Sequence, residues 1–275
     1  MECQVRDLTM HYEEAGTGRP LLILHGWTMT GAQTMDHFEP SFQNRPGWRR
    51  LYPDIPGHGK TPLPDWLRDH DGELEMLLEF MDAVAPGERF VVAGLSWGGY
   101  LARGVLHHRA KQIDGVMLYV PVIKLIIQER DLPAKHALRH DAQFVAGIRP
   151  DEGWLLDVTV AQSLSLLDEV RSKFIAFAIP HDPLVEQIVY KTPFSFDPDG
   201  LPEPCTAPAL FLMGRQDHWC GYMDAWKVLD NFPRGTFAVL DRAGHMLNYE
   251  QRPLAQALMS EWLDRVEEYI AQNAP

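Results

Sequence analysis

Cysteine is scarce in this 275-residue sequence, and a long hydrophobic run is missing. The three cysteines, Cys3, Cys205 and Cys220, lie far apart and form no CxxC pair, a pattern that favours reduced thiols over a disulfide framework or a zinc finger. The longest uncharged apolar stretch covers residues 116–123, whereas a bilayer-spanning helix needs about 20 residues. The sequence therefore predicts no transmembrane span.

Basic side chains are outnumbered by acidic ones. Lys and Arg total 25 against 38 Asp and Glu, which gives a formal net charge of −13. Such a surface repels phosphate backbones and anionic headgroups, so we expect neither nucleic acid nor a membrane as a partner. Residues 1–14 lack the basic and then apolar layout of a signal peptide, which predicts a cytoplasmic location.

Short apolar runs of strand length alternate with helical patterns. The runs are 21–24, 50–52, 90–93, 116–120, 210–213 and 237–240. Apolar residues recur at helical spacing in two places, at Leu74, Leu77, Leu78 and Met81 and at Leu254, Leu258, Trp262 and Val266. Alternating strands and helices predict an α/β fold with a mostly parallel sheet.

The strand pattern breaks over residues 121–208, where the sequence indicates helices with proline interruptions. We therefore predict a helical cap, or lid, at 121–208, inserted into a core formed by residues 1–120 and 209–275. Within the cap, 154–160 and 164–177 are apolar at mixed spacings, and 192–208 is a proline-rich linker. His136 and His140 stand four residues apart without an evident third ligand, so we expect a solvated cap helix there and no metal site.

A G-x-S-x-G motif follows the predicted strand 90–93. It reads Gly94-Leu95-Ser96-Trp97-Gly98, and a helical pattern over 100–107 comes next. A serine nucleophile needs a sharp turn that lifts its hydroxyl above the sheet edge, and the two glycines let neighbouring backbone pack against that turn. Strand, motif and helix together indicate that Ser96 is a nucleophile.

An activated serine needs a base and an acid that orients the base. Asp217 follows the predicted strand 210–213, and His245 follows the last predicted strand. The chain order Ser96, Asp217, His245 is the order of an α/β-hydrolase triad. His218 is an alternative base and Asp241 an alternative acid.

Ester cleavage also needs two backbone N–H groups that bind the developing oxyanion. The amides of Trp97, after the nucleophile, and of Trp27, in the loop after the first predicted strand, are the candidates. Candidate residues of a substrate pocket are His25, Trp154, Phe174, Phe177 and Tyr190. Packing is the alternative role for the four aromatic residues, and His25 is expected chiefly to brace its loop.

At this point the sequence resembles the α/β-hydrolase superfamily over nearly its whole length. The motifs that carry the resemblance are His25-Gly26-Trp27, Asp54-Ile55-Pro56-Gly57-His58-Gly59-Lys60-Thr61, Gly94-Leu95-Ser96-Trp97-Gly98-Gly99, Gly214-Arg215-Gln216-Asp217 and Gly244-His245. The resemblance implies an eight-stranded, mostly parallel sheet, a helical lid inserted after the sixth strand, and a Ser-His-Asp hydrolase that uses no cofactor.

The subfamily is less clearly marked. The elbow at Ser96 is similar to that of proline iminopeptidases, but those carry HGGPG where residues 25–29 here are HGWTM. Carbon–carbon bond hydrolases usually show Ser-Met-Gly-Gly and a tryptophan soon after the histidine, whereas here Trp97 follows Ser96 and Met246 follows His245. A small-molecule receptor on the same fold is a further alternative, although a complete triad favours catalysis.

We therefore predict a serine hydrolase that cleaves carboxylic esters through an acyl-enzyme on Ser96. The expected partner is a small to medium, largely uncharged substrate. No metal or other cofactor is expected, and the sequence does not indicate an oligomeric state.

Overall fold

The computed structural model describes residues 1–273, in which eight strands form one sheet with helices on both faces. The last two residues of the predicted core segment 209–275 lie outside the described residues. The strands are β1 (Glu2–Val5), β2 (Leu8–Ala15), β3 (Arg19–Leu24), β4 (Trp48–Pro53), β5 (Phe90–Leu95), β6 (Ile113–Tyr119), β7 (Ala209–Gly214) and β8 (Gly235–Leu240). The α-helices are α1 (Gly31–Phe38), α2 (His70–Val84), α3 (Trp97–Arg109), α4 (Ala142–Gly147), α5 (Leu155–Val158), α6 (Leu164–Lys173), α7 (Val185–Lys191), α8 (Met223–Lys227), α9 (Leu247–Glu250) and α10 (Arg252–Gln272).

The strand order is β1-β2-β4-β3-β5-β6-β7-β8. β2 pairs antiparallel with β1 and β4, and the pairings from β4 through β8 are parallel. This architecture confirms the predicted α/β-hydrolase fold. β5, β6 and β7 are buried along their whole length, which explains why their sequences are almost continuously apolar.

The first two strands were not among the predicted apolar runs. β1 and β2 lie at one edge of the sheet, where polar and apolar residues alternate because one face is more exposed. β6 begins before the predicted run 116–120 and ends at Tyr119. Val120 cannot continue the strand because its φ is 39°.

Two apolar layers enclose the sheet. Val92 of β5 packs in the layer that contains α2 and α3, and Val91 packs in the layer that contains α1 and α10. The helical spacing predicted for α2 is confirmed by its buried residues. The helix predicted from the spacing at 254–266 is likewise confirmed by α10, in which Leu254 is 46% exposed. The buried stripe of α10 consists of Ala255, Met259, Trp262, Leu263 and Val266.

Residues 121–208, called the inserted segment below, lie between β6 and β7 and add no strand to the described sheet. They contain α4 to α7, and the helices found within 154–160 and 164–177 are shorter than those patterns. The predicted cap helix that carries His136 and His140 is wrong, since residues 131–140 form no helix. Arg139 there forms an isolated parallel β-bridge with Ala161 instead.

None of the helices among residues 1–273 combines the length and the apolar character that a bilayer crossing requires.

Candidate active site

Ser96 lies in the sharp turn between β5 and α3. Its φ of 53° and ψ of −115° place it outside the ordinary strand and helix regions. The turn is fixed by backbone hydrogen bonds, in which Ser96 N–H donates to the Tyr119 carbonyl oxygen at 2.8 Å and Val122 N–H donates to the Ser96 carbonyl oxygen at 2.9 Å. The hydroxyl is thereby held at the carboxyl end of the sheet.

The glycines on either side of Ser96 are required by close backbone approach. A Cβ on Gly94 would lie 2.2 Å from the carbonyl oxygen of Gly98, and a Cβ on Gly98 would lie 2.3 Å from that of Leu24. Either contact is far inside van der Waals distance, so the tight turn is possible only without these side chains.

Ser96, His245 and Asp217 form one hydrogen-bonded row. Ser96 Oγ and His245 Nε2 are 3.0 Å apart, and His245 Nδ1 is 2.8 Å from Asp217 Oδ2. The other carboxylate oxygen of Asp217 accepts hydrogen bonds from the N–H groups of Trp219 and Cys220 at 2.9 and 3.0 Å. Asp217 is fully buried, and protein groups contact both of its carboxylate oxygens in place of water.

The two ionisable members of this row stabilise each other's charged forms. Burial alone would raise the pKa of Asp217, but the facing His245 and the two backbone N–H donors lower it below its usual value. Burial likewise opposes the charge on His245, yet the Asp217 carboxylate outweighs it and raises the pKa of His245 well above its usual value. An imidazolium formed at His245 is therefore stabilised in place.

The alternative acid and base lie elsewhere. Asp241 is exposed and its Oδ1 accepts a hydrogen bond from Gln216 Nε2 at 2.8 Å. Within residues 1–273, neither Asp241 nor His218 forms a hydrogen bond with Ser96 or His245. The structure thus brings Asp217 and His245 to Ser96 and does not bring the two alternatives.

The two candidate oxyanion donors flank Ser96. Trp97 is the first residue of α3, and the loop of Trp27 lies against the serine, since a Cβ on Gly26 would be 3.4 Å from Ser96 Cβ. Within residues 1–273, neither the Trp27 nor the Trp97 backbone N–H donates to another protein group. Both amides are therefore free to bind an oxygen atom.

His25 braces this loop and does not line an open pocket. The imidazole is fully buried, its Nδ1 donates to the Gly26 carbonyl oxygen at 2.8 Å, and its Nε2 accepts from the Ile55 N–H at 3.0 Å. The pocket prediction for His25 is corrected on this ground, because both ring nitrogens are already bonded to the backbone.

The aromatic pocket candidates lie in separate places. Trp154 and Phe174 pack against each other with ring centroids 5.9 Å apart, whereas Tyr190 faces the Trp27 ring at 5.7 Å. Phe177 is 57% exposed. The structure does not gather the four rings into one wall around Ser96.

Sequence reasoning missed an aromatic neighbour of the row. The Trp219 ring lies 5.4 Å from the His245 ring, measured between centroids, and the side chain is partly exposed. No motif marks this position, although its place two residues after Asp217 could have drawn attention to it.

Glu250 was also missed. Its Oε1 accepts hydrogen bonds from the N–H groups of Val160 and Ala161, at 2.5 and 2.8 Å, and its Oε2 accepts from Gly244 N–H at 2.6 Å. One carboxylate therefore holds both the inserted segment and the loop that carries His245. Such a bridge across 90 residues has no local sequence signal.

Comparisons with known proteins support the fold described above. The model of the "Alpha/beta hydrolase family" matches residues 21–257. A pimeloyl-[acyl-carrier protein] methyl ester esterase of Legionella pneumophila (strain Paris) is 22% identical over 258 residues, which span 93% of this chain and all of that protein. An alpha/beta superfamily hydrolase from Oenococcus oeni PSU-1 superimposes with a TM-score of 0.84 at 25% identity, covering 97% of this chain and 99% of that one. An esterase from Exiguobacterium antarcticum has the same fold, with a TM-score of 0.74 at 20% identity over 95% and 98% of the two chains.

Proposed function

This chain belongs to the alpha/beta hydrolase family, and we propose that it is a carboxylic ester hydrolase that acts through an acyl-enzyme on Ser96. The observation that carries the proposal is the row in which His245 Nε2 lies 3.0 Å from Ser96 Oγ and His245 Nδ1 lies 2.8 Å from Asp217. The esterase names of several relatives support the same reaction.

In the proposed reaction, His245 Nε2 takes the Ser96 proton as Oγ attacks the ester carbonyl carbon. The carbonyl oxygen becomes an oxyanion between the backbone N–H groups of Trp27 and Trp97. His245 then gives its proton to the departing alcohol, and the acyl group remains on Oγ. Water, deprotonated by His245, releases the acid and restores Ser96, while Asp217 holds the imidazole in the required tautomer.

The surroundings of the row support small to medium, largely uncharged substrates. Trp219 lies against His245, and the rings of Tyr190 and His181 lie against Trp27. Arg130 donates from Nη1 to the Trp219 carbonyl oxygen and uses its other nitrogens on carbonyl oxygens of the inserted segment. Because its guanidinium already donates to carbonyl oxygens, Arg130 is not available to bind a charged group of the substrate. We therefore expect an apolar group of the ester to bind beside the rings of Trp219 and Tyr190.

We further propose that residues 121–208 act as a cap over a core formed by residues 1–120 and 209–275. Three contacts support this role: Gln33 Nε2 donates to the Phe174 carbonyl oxygen at 2.8 Å, Asp182 N–H donates to the Gly57 carbonyl oxygen at 2.8 Å, and Glu250 binds Val160 and Ala161. A cytoplasmic location is part of the same proposal.

The test is a rate panel with p-nitrophenyl esters of increasing acyl length and with a prolyl anilide. Ser96→Ala should lower kcat for the esters by about 10⁴-fold or more, because no other group replaces the nucleophile. Ser165→Ala, on an exposed face of α6, is the control and should keep the wild-type rate.

A fluorophosphonate probe should also label Ser96 in the wild-type protein, as located by peptide mass spectrometry, and should leave Ser96→Ala unlabelled. Unchanged ester turnover in Ser96→Ala would contradict the proposal. Turnover of the anilide in preference to the esters would replace it with a peptidase.

A further inference from the structure

A thiol lies beside the proposed acid and base. One ligand atom from each of Asp217, Cys220 and His245 lies within 4.8 Å of the other two. Cys220 is a free cysteine and is only 4% exposed, and Asp217 is fully buried. A carboxylate oxygen, a thiolate sulfur and an imidazole nitrogen are the donor atoms that Zn²⁺ takes in proteins.

The local turn preorganises two of these three ligands. Asp217 Oδ1 accepts from the Cys220 N–H at 3.0 Å, and the Asp217 carbonyl oxygen accepts from the Gly221 N–H at 2.9 Å. Gly221 has a φ of 69°, and a Cβ there would lie 2.5 Å from the carbonyl oxygen of Asp131. The turn is therefore fixed by backbone contacts that do not involve the Cys220 side chain, whose Sγ is left near His245.

We propose that Asp217, Cys220 and His245 Nδ1 bind a thiophilic divalent cation of the zinc class, and that binding inhibits the hydrolase. Metal binding at this site does not depend on the proposed function. Only the inhibition rests on the proposed function. Tetrahedral zinc bonds of about 2.0–2.3 Å place ligand atoms about 3.3–3.8 Å apart. The ligand atoms already lie within 4.8 Å of one another, so each separation needs to shorten by at most about 1.5 Å, while the 2.8 Å distance between His245 Nδ1 and Asp217 Oδ2 has to open.

The binding step conserves protons and electrons. The cation takes the sulfur lone pair as the Cys220 thiol proton leaves to water. It also takes the Nδ1 lone pair of the His245 imidazolium as the Nδ1 proton leaves to water, so that the metal-bound imidazole is neutral and keeps its proton on Nε2. Nε2–H then faces Ser96 Oγ and donates instead of accepting, which removes the base that activates the serine.

Binding is tested first without reference to activity. The reduced full-length protein is titrated with Cd²⁺, and the ultraviolet charge-transfer absorption of a cadmium–thiolate bond is recorded. The wild-type protein and Cys205→Ser should both develop the absorption with one equivalent of Cd²⁺, and Cys220→Ser should not. Cys205 is the matched control because it is also a buried free thiol, in the stretch that leads into β7.

Inhibition is measured on the same proteins with Zn²⁺, each rate being divided by the rate of that variant with a chelator present. Cys220→Ser should raise the half-inhibiting Zn²⁺ concentration by about 10- to 100-fold or more. Loss of a group that only hydrogen-bonds to a metal ligand already lowers metal affinity by about that factor, and Cys220 is proposed as a ligand itself. The chelator should restore the wild-type rate. Inhibition that is equal in Cys220→Ser, or a thiolate absorption that persists in it, would overturn the proposal.

A wild-type measurement covers the case in which Cys220→Ser does not fold. Zn²⁺ should slow alkylation of Cys220, counted by peptide mass spectrometry, and should leave the rates at Cys3 and Cys205 unchanged. Equal alkylation of Cys220 with and without Zn²⁺ would overturn the site. A thiolate absorption in a protein that turns over no ester would support the site and count against the proposed function instead.

Discussion

The indole N–H of Trp97 donates a hydrogen bond of 2.8 Å to Nε2 of His70, the first residue of α2. Because Nε2 accepts, the ring proton lies on Nδ1, which donates to the carbonyl oxygen of Thr192 in the inserted segment at 2.5 Å. Burial lowers the pKa of His70 to about 4, so the ring is neutral at physiological pH. His70 thus links the residue after the proposed nucleophile to the inserted segment.

His70→Leu should lower the free energy of unfolding by about 2–4 kcal/mol, because the buried Trp97 indole N–H and the Thr192 carbonyl oxygen both lose their partner. Urea unfolding followed by circular dichroism measures the change. His140→Leu is the control, since His140 is exposed, and it should shift stability by less than about 0.5 kcal/mol. Equal stability of the two variants would contradict the role given to His70.

Glu73 should make stability depend on pH in one direction. It is fully buried, neither carboxylate oxygen has a hydrogen-bond partner among residues 1–273, and burial raises its pKa well above the usual value. When the pH exceeds the carboxyl pKa of the unfolded chain, about 4.3, unfolding releases a proton and stability falls until the raised pKa of the folded protein is passed. Glu73→Gln keeps the shape and removes this proton release.

The free energy of unfolding of Glu73→Gln, relative to wild type, should therefore increase as the pH rises from about 4.3 to neutrality. Urea titrations at several pH values measure the difference. Glu88→Gln changes an exposed carboxylate just beyond α2 and should differ from wild type by a nearly constant amount. A constant difference for Glu73→Gln as well would show that its carboxyl is not protonated in the folded protein.

Asp217→Asn should lower kcat for esters by about 10⁴-fold, because an amide presented to His245 Nδ1 favours the wrong imidazole tautomer. Steady-state kinetics measure the effect, with circular dichroism as the check on folding. Asp241→Asn, at the alternative acid, should leave kcat within a few-fold of wild type. If Asp241→Asn were the damaging substitution, the acid would be misassigned.

Glu250→Gln should weaken the bridge between the inserted segment and the His245 loop. A glutamine places an amide N–H₂ where a carboxylate oxygen now accepts, so one side of the bridge loses its hydrogen bonds. Amide hydrogen exchange should accelerate at Val160, Ala161 or Gly244, and kcat should fall. Glu268→Gln, on the exposed side of α10, should change neither; unchanged exchange in Glu250→Gln would contradict the bridge.

The fold and the three residues Ser96, Asp217 and His245 could be predicted because each strand and each of these residues stands at a recognisable place in the local sequence. A buried parallel strand needs an apolar run, and the elbow needs glycine at positions 94 and 98, so the chain carries a readable pattern at each place. The edge strands β1 and β2 were not predicted, because alternating polar and apolar residues give a weaker signal than a continuous apolar run.

The surroundings of the row could not be predicted because they depend on contacts between distant segments. Trp219 and Cys220 follow Asp217 in sequence, but their approach to His245 is decided by the pairing of β7 with β8. Likewise the pattern of α10 predicted the helix but not all of its buried residues, since Leu254 is 46% exposed whereas Ala255 and Met259 are buried.

The position of the inserted segment has a consequence for the newly made chain. Ser96 and His245 are separated by 149 residues, and β7 pairs with β6 only after the inserted segment has been synthesised. During translation the turn at Ser96 leaves the ribosome long before His245 and Asp217, so the nascent protein carries the proposed nucleophile without its proposed base and acid. The proposed activity therefore has to wait for the segments that form β7 and β8, and a product truncated before them should lack it.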